Sequence, residues 1–288
     1  MTPSMDKPVI SAVPADKARS WLLIPGTKSE IFTAAAESDA DTIILDLEDA
    51  VAPAAKSSAR AAVVAWLRGG GSAWVRINDF TTPFWAEDLA ALRGIPGLEG
   101  VMLAKTESGG QIEATANRMH LDNRIVALIE SAVGLEAAPE IARTEGTFRL
   151  AFGSGDFRRD TGMSDDPLAM VYPRARLVVS SRAAHLPGPI DGPTLSDDES
   201  ILSLESKTTT AIGMTGKLCM HAGQAATVNR ELAPSPAELD WARDVIAQFG
   251  EDGSNVRDGS DLPRLSRAKK IMAAAVVFAI GTEPANCL

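Results

Sequence analysis

Cysteine is almost missing from this sequence. There are two in 288 residues, Cys219 and Cys287, far apart and in no metal-ligand spacing. That scarcity argues against a disulfide-stapled scaffold and a cysteine-held zinc, and it points to a reducing, cytoplasmic compartment. Histidine is nearly as scarce, with three residues, so a histidine-rich metal centre is excluded. Positive charge is in deficit: 28 Lys and Arg face 38 Asp and Glu, a net charge of −10. A nucleic-acid backbone is repelled by such a surface, and no nucleic-acid partner is expected. No apolar run is long enough to span a bilayer; the most apolar helical stretch, Ile271 to Ile280, is about half the required length, and no membrane partner is expected. Residues 1–18, rich in Pro, Ser, Ala and Asp, have no apolar signal-peptide core and read as a mobile leader. Several catalytic motifs are also missing. There is no Gly-x-Ser-x-Gly elbow, and neither cysteine has a partner base, which weakens acyl-enzyme mechanisms. Gly153-Ser154-Gly155 lacks the third glycine of a dinucleotide loop. Gly213-Met214-Thr215-Gly216-Lys217 is too short for a phosphate loop and runs into Leu218.

What the chain does have is alternation. Hydrophobic residues make up 45% of it, enough for a sizeable core. From Arg19 onward a short apolar run ends in Gly, Pro or an acid, and an Ala-rich amphipathic segment follows. Strands are expected at Trp21–Ile24, Thr42–Leu47, Ala73–Ile77, Gly100–Ala104, Ile125–Ile129, Phe148–Phe152, weakly near Gly188–Ile190, and at Lys217–Met220. Helices are expected between them at Ser29–Glu37, Ala54–Arg68, Phe84–Leu92, Gln111–Met119, Leu135–Arg143, Pro167–Val179, Glu199–Ala211 and Pro236–Phe249. Serial βα units imply a parallel sheet, and eight of them suffice to close it. Near-continuous apolar strands such as Thr42-Ile43-Ile44-Leu45 fit a sheet buried on both faces. The expected fold is therefore an α/β TIM (β/α)8 barrel over residues 19–250. Residues 251–288 form a C-terminal loop and an extra helix, which packs on its own barrel or on a neighbouring subunit.

Placing the strands lines up polar residues at their carboxyl ends, where barrel enzymes carry their chemistry. The second strand ends in Asp46, Glu48 and Asp49, the third in Arg76 and Asn78, and the fourth in Lys105 with Glu107 beyond. The fifth gives Glu130, the sixth Asp156, the seventh Asp191 and the eighth His221. Glu130 and Asp156, on adjacent strands, can hold one hard divalent cation between them, Mg²⁺ or Mn²⁺ rather than zinc. The competing reading is that each acid only caps the helix that follows. Arg76 offers a rigid fork for a carboxylate or enolate oxygen. Metal and arginine together suggest an anionic keto or hydroxy acid and enolate chemistry. Lys105 as a Schiff-base nucleophile is the alternative, opposed by neighbouring acids that keep it protonated.

These segments resemble the citrate lyase beta-subunit family within the HpcH/HpaI aldolase superfamily. The likeness is carried by Arg19-Ser20-Trp21-Leu22-Leu23-Ile24-Pro25-Gly26, by Leu45-Asp46-Leu47-Glu48-Asp49-Ala50-Val51 with Lys56 and Arg60 following, and by Val75-Arg76-Ile77-Asn78. It continues through Lys105-Thr106-Glu107-Ser108, Ile129-Glu130-Ser131, Phe152-Gly153-Ser154-Gly155-Asp156 and Gly216-Lys217-Leu218-Cys219-Met220-His221. The resemblance implies a TIM barrel, Mg²⁺ on Glu130 and Asp156, substrate binding by Arg76, trimers or multiples of trimers, and often acyl-CoA substrates. Arg19, Lys105 and Glu130 join Arg76 as candidate substrate contacts, and Glu48 and Asp49 as residues that orient metal-bound water or Arg76. Where the family commonly has Leu-Pro-Lys, this chain has Leu103-Ala104-Lys105, and where the family has His-Pro-x-Gln it has His221-Ala222-Gly223-Gln224. The late loop is shorter but keeps Asp-x-Pro as Asp261-Leu262-Pro263.

The expected function is Mg²⁺-assisted cleavage of a carbon–carbon bond, or its reverse, in a β-hydroxyacyl-CoA such as citryl-, malyl- or citramalyl-CoA. Asp261, from a neighbouring subunit, is the candidate proton carrier, set against a plain helix-capping role. Two alternatives stand beside this reading: a CoA-independent aldolase directed at pyruvate or oxaloacetate, and a non-catalytic subunit that binds acyl-CoA.

Overall fold

The computed structural model describes residues 13–119 and 124–280. Eight parallel strands close into a barrel in sequence order, β1 pairing with both β2 and β8. They are β1 (Ser20–Pro25), β2 (Thr42–Asp46), β3 (Ala73–Ile77), β4 (Leu98–Leu103), β5 (Ile125–Ile129), β6 (Thr147–Phe152), β7 (Ile190–Asp191) and β8 (Gly216–Cys219). The helices are α1 (Phe32–Ala36), α2 (Lys56–Arg68), α3 (Pro83–Leu92), α4 (Gly109–Met119), α5 (Ala132–Arg143), α6 (Ser154–Thr161), α7 (Val171–Ala183), α8 (Glu199–Ile212), α9 (Ala225–Glu231), α10 (Pro236–Phe249) and α11 (Asp261–Val277). The strands agree with the sequence reading to within about two residues. Two helices were not expected. Helix α6 begins inside Gly153-Ser154-Gly155, which reads as a loop because of its glycines, and α9 follows Gly223 closely.

Local chemistry accounts for the element ends. Ser235 accepts from the Glu238 amide while the Glu238 carboxylate accepts from the Ser235 amide, and Pro236 takes the first helical position, so α10 starts where it does. Asp198 caps α8, and Gly213 ends that helix with a φ of 100°. Strands β2 and β5 are buried at every position, as a sheet covered by helices outside and packed side chains inside requires.

Alternation along each strand decides which side chains look inward. One core cluster draws Trp21, Ile44, Trp74, Met102, Val126, Leu128, Ala151, Ile190 and Leu218 from all eight strands, and so marks the barrel interior. Two residues further along the same faces stand Asp46, Arg76, Glu130 and Gly153, at the carboxyl ends. Two residues before Ala151 stands Arg149, at the amino end. Its guanidinium is fully buried and lies 5.6 Å from the Trp21 ring. It donates to the Gly188 carbonyl at 2.6 Å, the Ala18 carbonyl at 2.9 Å, the Ala15 carbonyl at 3.3 Å and Thr215 Oγ1 at 2.8 Å. Arg149 thereby ties residues 15–18 and the loops before β7 and β8 to β6.

The chain divides into two compact units, residues 1–229 and 230–288. The division falls earlier than the boundary expected at 250, because α10 packs against α11 through Ala242, Val245, Phe249, Leu265 and Ala268. No helix among the described residues is long and apolar enough to cross a membrane.

Replacing Arg149 by methionine removes its four hydrogen bonds at the amino end, although the Ala18 carbonyl keeps Trp21 Nε1 and the Gly188 carbonyl keeps Thr215 Oγ1. We expect a loss of roughly 3 kcal/mol in chemical denaturation, with Arg149→Lys recovering part of it. A loss within error of zero removes Arg149 from the forces that hold the amino end together.

Candidate active site

The site grows from the register of β2 on β3. Asp46 stands opposite Arg76, and both point inward above the hydrophobic layer. Asp46 is fully buried and takes both parallel bonds of the guanidinium, from Nε and Nη2 at 2.7 Å each. Its oxygens also accept the amides of Glu48 at 2.9 Å and Ala50 at 3.1 Å, which shapes the Asp46–Ala50 turn. The fork of Arg76, expected to face substrate, is therefore filled by Asp46. The remaining nitrogen, Nη1, lies 3.3 Å from Glu48 Oε2. Arg76 still supplies a fixed positive charge: burial opposes it, but Asp46, Glu48 and Glu130 together outweigh burial and raise its pKa.

The turn is braced from below. Lys56 Nζ donates to the carbonyls of Leu47 and Glu48 at 2.7 Å each. Asn78 Nδ2 donates to the Leu47 carbonyl at 2.9 Å and to Asp88 Oδ2 at 2.7 Å, and Arg60 Nε donates to Asp88 Oδ1 at 2.7 Å. Asn78 and the early helical residues Lys56 and Arg60 thus fix the loop.

Glu130 follows β5, and Gly153 follows β6. The pairing of Ile129 with Phe152 sets them side by side. A Cβ on Gly153 would stand 2.4 Å from Glu130 Oε2 and 2.6 Å from Glu130 Cβ, so only glycine leaves room for the carboxylate. Glu130 Oε1 accepts the Lys105 amide at 2.7 Å. Burial pushes the Glu130 carboxyl up to about 8; the Lys105 amide opposes that shift, and the charge of Glu48 adds to it.

Asp156 lies in the first turn of α6, where the free amides of a helix favour negative charge. Its Oδ1 lies 3.2 Å from Arg159 Nη1. Its Oδ2 is buried and has no hydrogen-bond partner. Lys105 reaches both acids: its amide holds Glu130, and its Nζ lies 3.8 Å from Asp156 Oδ2. The same ammonium bonds Glu48 and lies 3.2 Å from Asp49 Oδ1. Burial opposes its charge, but Glu48, Glu130 and Asp49 together outweigh burial and raise its pKa, which disfavours the free amine a Schiff-base mechanism needs.

Of the expected residues, Asp46, Glu48, Asp49, Arg76, Lys105, Glu130 and Asp156 come together. Three others do not join them. Asp191 ends β7, but Ile190 takes the inward position, so Asp191 faces the helices. There it accepts from Arg174 Nε at 2.8 Å and Thr209 Oγ1 at 2.6 Å. Arg19 precedes β1 at the opposite, amino end, and pairs with Asp41 through Nε at 2.8 Å and Nη2 at 3.0 Å. His221 is exposed beside Asp197 at 3.1 Å. Asp261 belongs to the second unit. It opens α11, accepts the Arg257 amide at 3.2 Å, and lies 3.6 Å from both Arg257 Nε and Arg264 Nη1. That bond closes the loop before the helix rather than capping the helix itself. Gly153 and the clamp role of Asp46 were missed. The signal for both was positional: each stands beside a site residue on the neighbouring strand.

The chain matches the family model for HpcH/HpaI aldolase/citrate lyase over residues 19–222 and the model for the HpcH/HpaI aldolase C-terminal domain over residues 237–279. It is 29% identical to the L-malyl-CoA/beta-methylmalyl-CoA lyase of Cereibacter sphaeroides, over 92% of this chain and 96% of that one. It is 30% identical to the mitochondrial citramalyl-CoA lyase of Homo sapiens, over 89% of this chain and 85% of the relative. Among solved structures, it is similar to the CitE protein of Mycobacterium tuberculosis in complex with magnesium, acetoacetate and coenzyme A. The TM-score is 0.77 at 31% identity, covering 91% of this chain and 99% of that one.

Gly153→Ala forces Glu130 out of place while leaving the barrel framework intact. Turnover in a keto-acid release assay is expected to fall by about 10²-fold or more, the cost of an ångström-scale misplacement of a reacting group, with an unchanged circular dichroism spectrum. Wild-type turnover would show that the position of Glu130 is not critical.

Proposed function

The chain belongs to the HpcH/HpaI aldolase/citrate lyase family, and we propose that it is a Mg²⁺-dependent carbon–carbon lyase acting on a β-hydroxyacyl-CoA. The substrate class is that of citryl-, malyl- or citramalyl-CoA, cleaved to an α-keto acid and an acyl-CoA or formed from them. One observation carries the reading: Asp156 Oδ2 is buried without a hydrogen-bond partner, beside a lysine whose amide already holds Glu130. A hard cation satisfies such an oxygen, and Glu130 Oε2 is the second ligand. Among the described residues no three His, Cys, Asp or Glu converge as a metal-binding group. Two carboxylates alone suit Mg²⁺, which keeps several positions for water and substrate oxygens, and Mn²⁺ shares that preference. The names of the two similar lyases and the ligands of the similar solved structure support the substrate class.

When bound, Mg²⁺ supplies Lewis acidity that lowers the pKa of the substrate hydroxyl. Glu130 and Asp156 hold it in place. The charges of Arg76 and Lys105 attract the substrate carboxylate and offset negative charge as the thioester enolate forms. Glu48 and Asp49 keep those two cations aimed. Loss of the hydroxyl proton breaks the carbon–carbon bond, and the enolate takes a proton at carbon. Asp261 of a neighbouring copy is the proton carrier in this proposal, and the working form is a homo-oligomer, a trimer or a multiple of one. Arg257 and Arg264 give Asp261 a fixed mount in its own unit.

Malyl-, citramalyl- and citryl-CoA, and the CoA-free acids, should be assayed with Mg²⁺ by keto-acid release. We expect turnover of at least one thioester and none of the free acids, and its loss in Asp156→Ala. Turnover of free acids alone makes the protein a CoA-independent aldolase. Wild-type turnover and Mg²⁺ affinity in Asp156→Ala removes that residue from the metal site.

The shared site has its own test. Asp261→Ala and Asp156→Ala should each be inactive, and mixing them under demonstrated subunit exchange should restore part of the activity. Exchange without recovery excludes a shared site, and full activity of Asp261→Ala alone leaves Asp261 its loop-closing role.

A further inference from the structure

We infer that Lys105 keeps the Mg²⁺ affinity of this site low, because its side chain places a fixed positive charge among the carboxylates that the divalent cation must engage. The inference rests on the metal site proposed above and adds to it the residue that tunes it.

The backbone supplies the first observation. Lys105 has a φ of 48°, in the left-handed region that residues with side chains seldom occupy. A strained residue beside a candidate site is an observation from which function is inferred. Here the conformation meets two demands at once. The amide turns toward Glu130 Oε1, 2.7 Å away, and the side chain turns back across the barrel mouth to Glu48, to Asp49 and to within 3.8 Å of Asp156 Oδ2. One residue therefore aims one proposed metal ligand with its main chain and lays an ammonium beside the other with its side chain.

The charges supply the second. Asp46, Glu48, Asp49, Glu130 and Asp156 are the acids of the site, and Asp46 is already matched by the two-bond grip on Arg76. Lys105 reaches Glu48, Asp49 and Asp156 together, joined by Arg76 at Glu48 and by Arg159 at the other oxygen of Asp156. Glu48, Glu130 and Asp49 keep Lys105 protonated despite partial burial. A divalent ion bound to Glu130 and Asp156 would lie within a few ångströms of this ammonium, in a setting where water screens the repulsion only in part. A neutral unbranched side chain of similar length removes the repulsion and keeps the amide that orients Glu130. If Lys105 served only to arrange the ligands, its removal would weaken metal binding; as an opposing charge, its removal strengthens it. The two roles thus predict opposite signs.

The experiment is calorimetric titration of Mg²⁺ alone into the full-length wild type, Lys105→Met, Lys105→Arg and Asp156→Ala. Lys105→Met should bind Mg²⁺ at least about tenfold more tightly than the wild type. Lys105→Arg, which keeps the charge, should stay within about threefold of it. Lys105→Gln is a second neutral variant and carries the same expectation should the methionine variant fold poorly. Unchanged or weaker binding by the neutral variants, with binding lost in Asp156→Ala, overturns the inference and leaves the metal site standing. Wild-type Mg²⁺ binding by Asp156→Ala overturns the site and the inference with it.

Discussion

The pairing of Asp46 with Arg76 is the contact on which the rest of the site depends. A carboxylate with no exposure and a nearly buried guanidinium are each costly alone, and the two parallel bonds between them make both tolerable. Register makes the pair possible: Asp46 ends β2 directly opposite Arg76 on β3, both two residues beyond inward-facing members of the barrel core. Once Asp46 is held, its oxygens accept the Glu48 and Ala50 amides and turn the chain. That turn delivers Glu48 to Arg76 and Lys105. The apolar strands below and the charged rim above are one construction, because the same alternation that packs the core lifts the polar residues above it.

The rim holds more negative charge than its own cations match, and most of it is buried. Burial keeps water from relieving that excess; it pushes the Glu130 carboxyl upward, and the charge of Glu48 adds to the shift. The excess is a requirement for binding a hard cation and for drawing charged oxygens into place around it. The glycines and braces beneath it are there for precision. Gly153 leaves the space Glu130 occupies, and Lys56 with the Asn78–Asp88–Arg60 chain keeps the Leu47–Glu48 backbone from shifting. Function here depends on residues that touch no ligand as much as on those proposed to.

Much of this was legible before any coordinates. Eight apolar runs separated by amphipathic segments are hard to reconcile with anything but a parallel sheet, and the acids Glu130 and Asp156 stood out because each closes such a run. The misreadings share a cause. Asp191 was judged by nearness to a strand and Arg19 by its place in the motif that opens β1, yet in both cases the role depends on which face and which end the residue occupies. One position along β7 turns Asp191 toward Arg174, and one turn of phase cannot be read from a strand of two residues. Arg19 precedes its strand and so stands at the end away from the site. Helix α6 was hidden because glycines at a helix start look like those of a loop, although here the first of them exists to admit Glu130.

The sequence by itself determined the barrel, its strand count, and the inventory of acids and bases at the strand ends, because periodicity and composition are properties of short stretches. Tertiary structure alone decided what those residues do to one another. Arg76 turned out to be gripped by Asp46, Lys105 to serve Glu130 and the facing acids at once, and Asp156 to keep one buried oxygen without a donor. Each of these depends on which residues of separate strands fall side by side, and strand register is set by how the whole sheet closes.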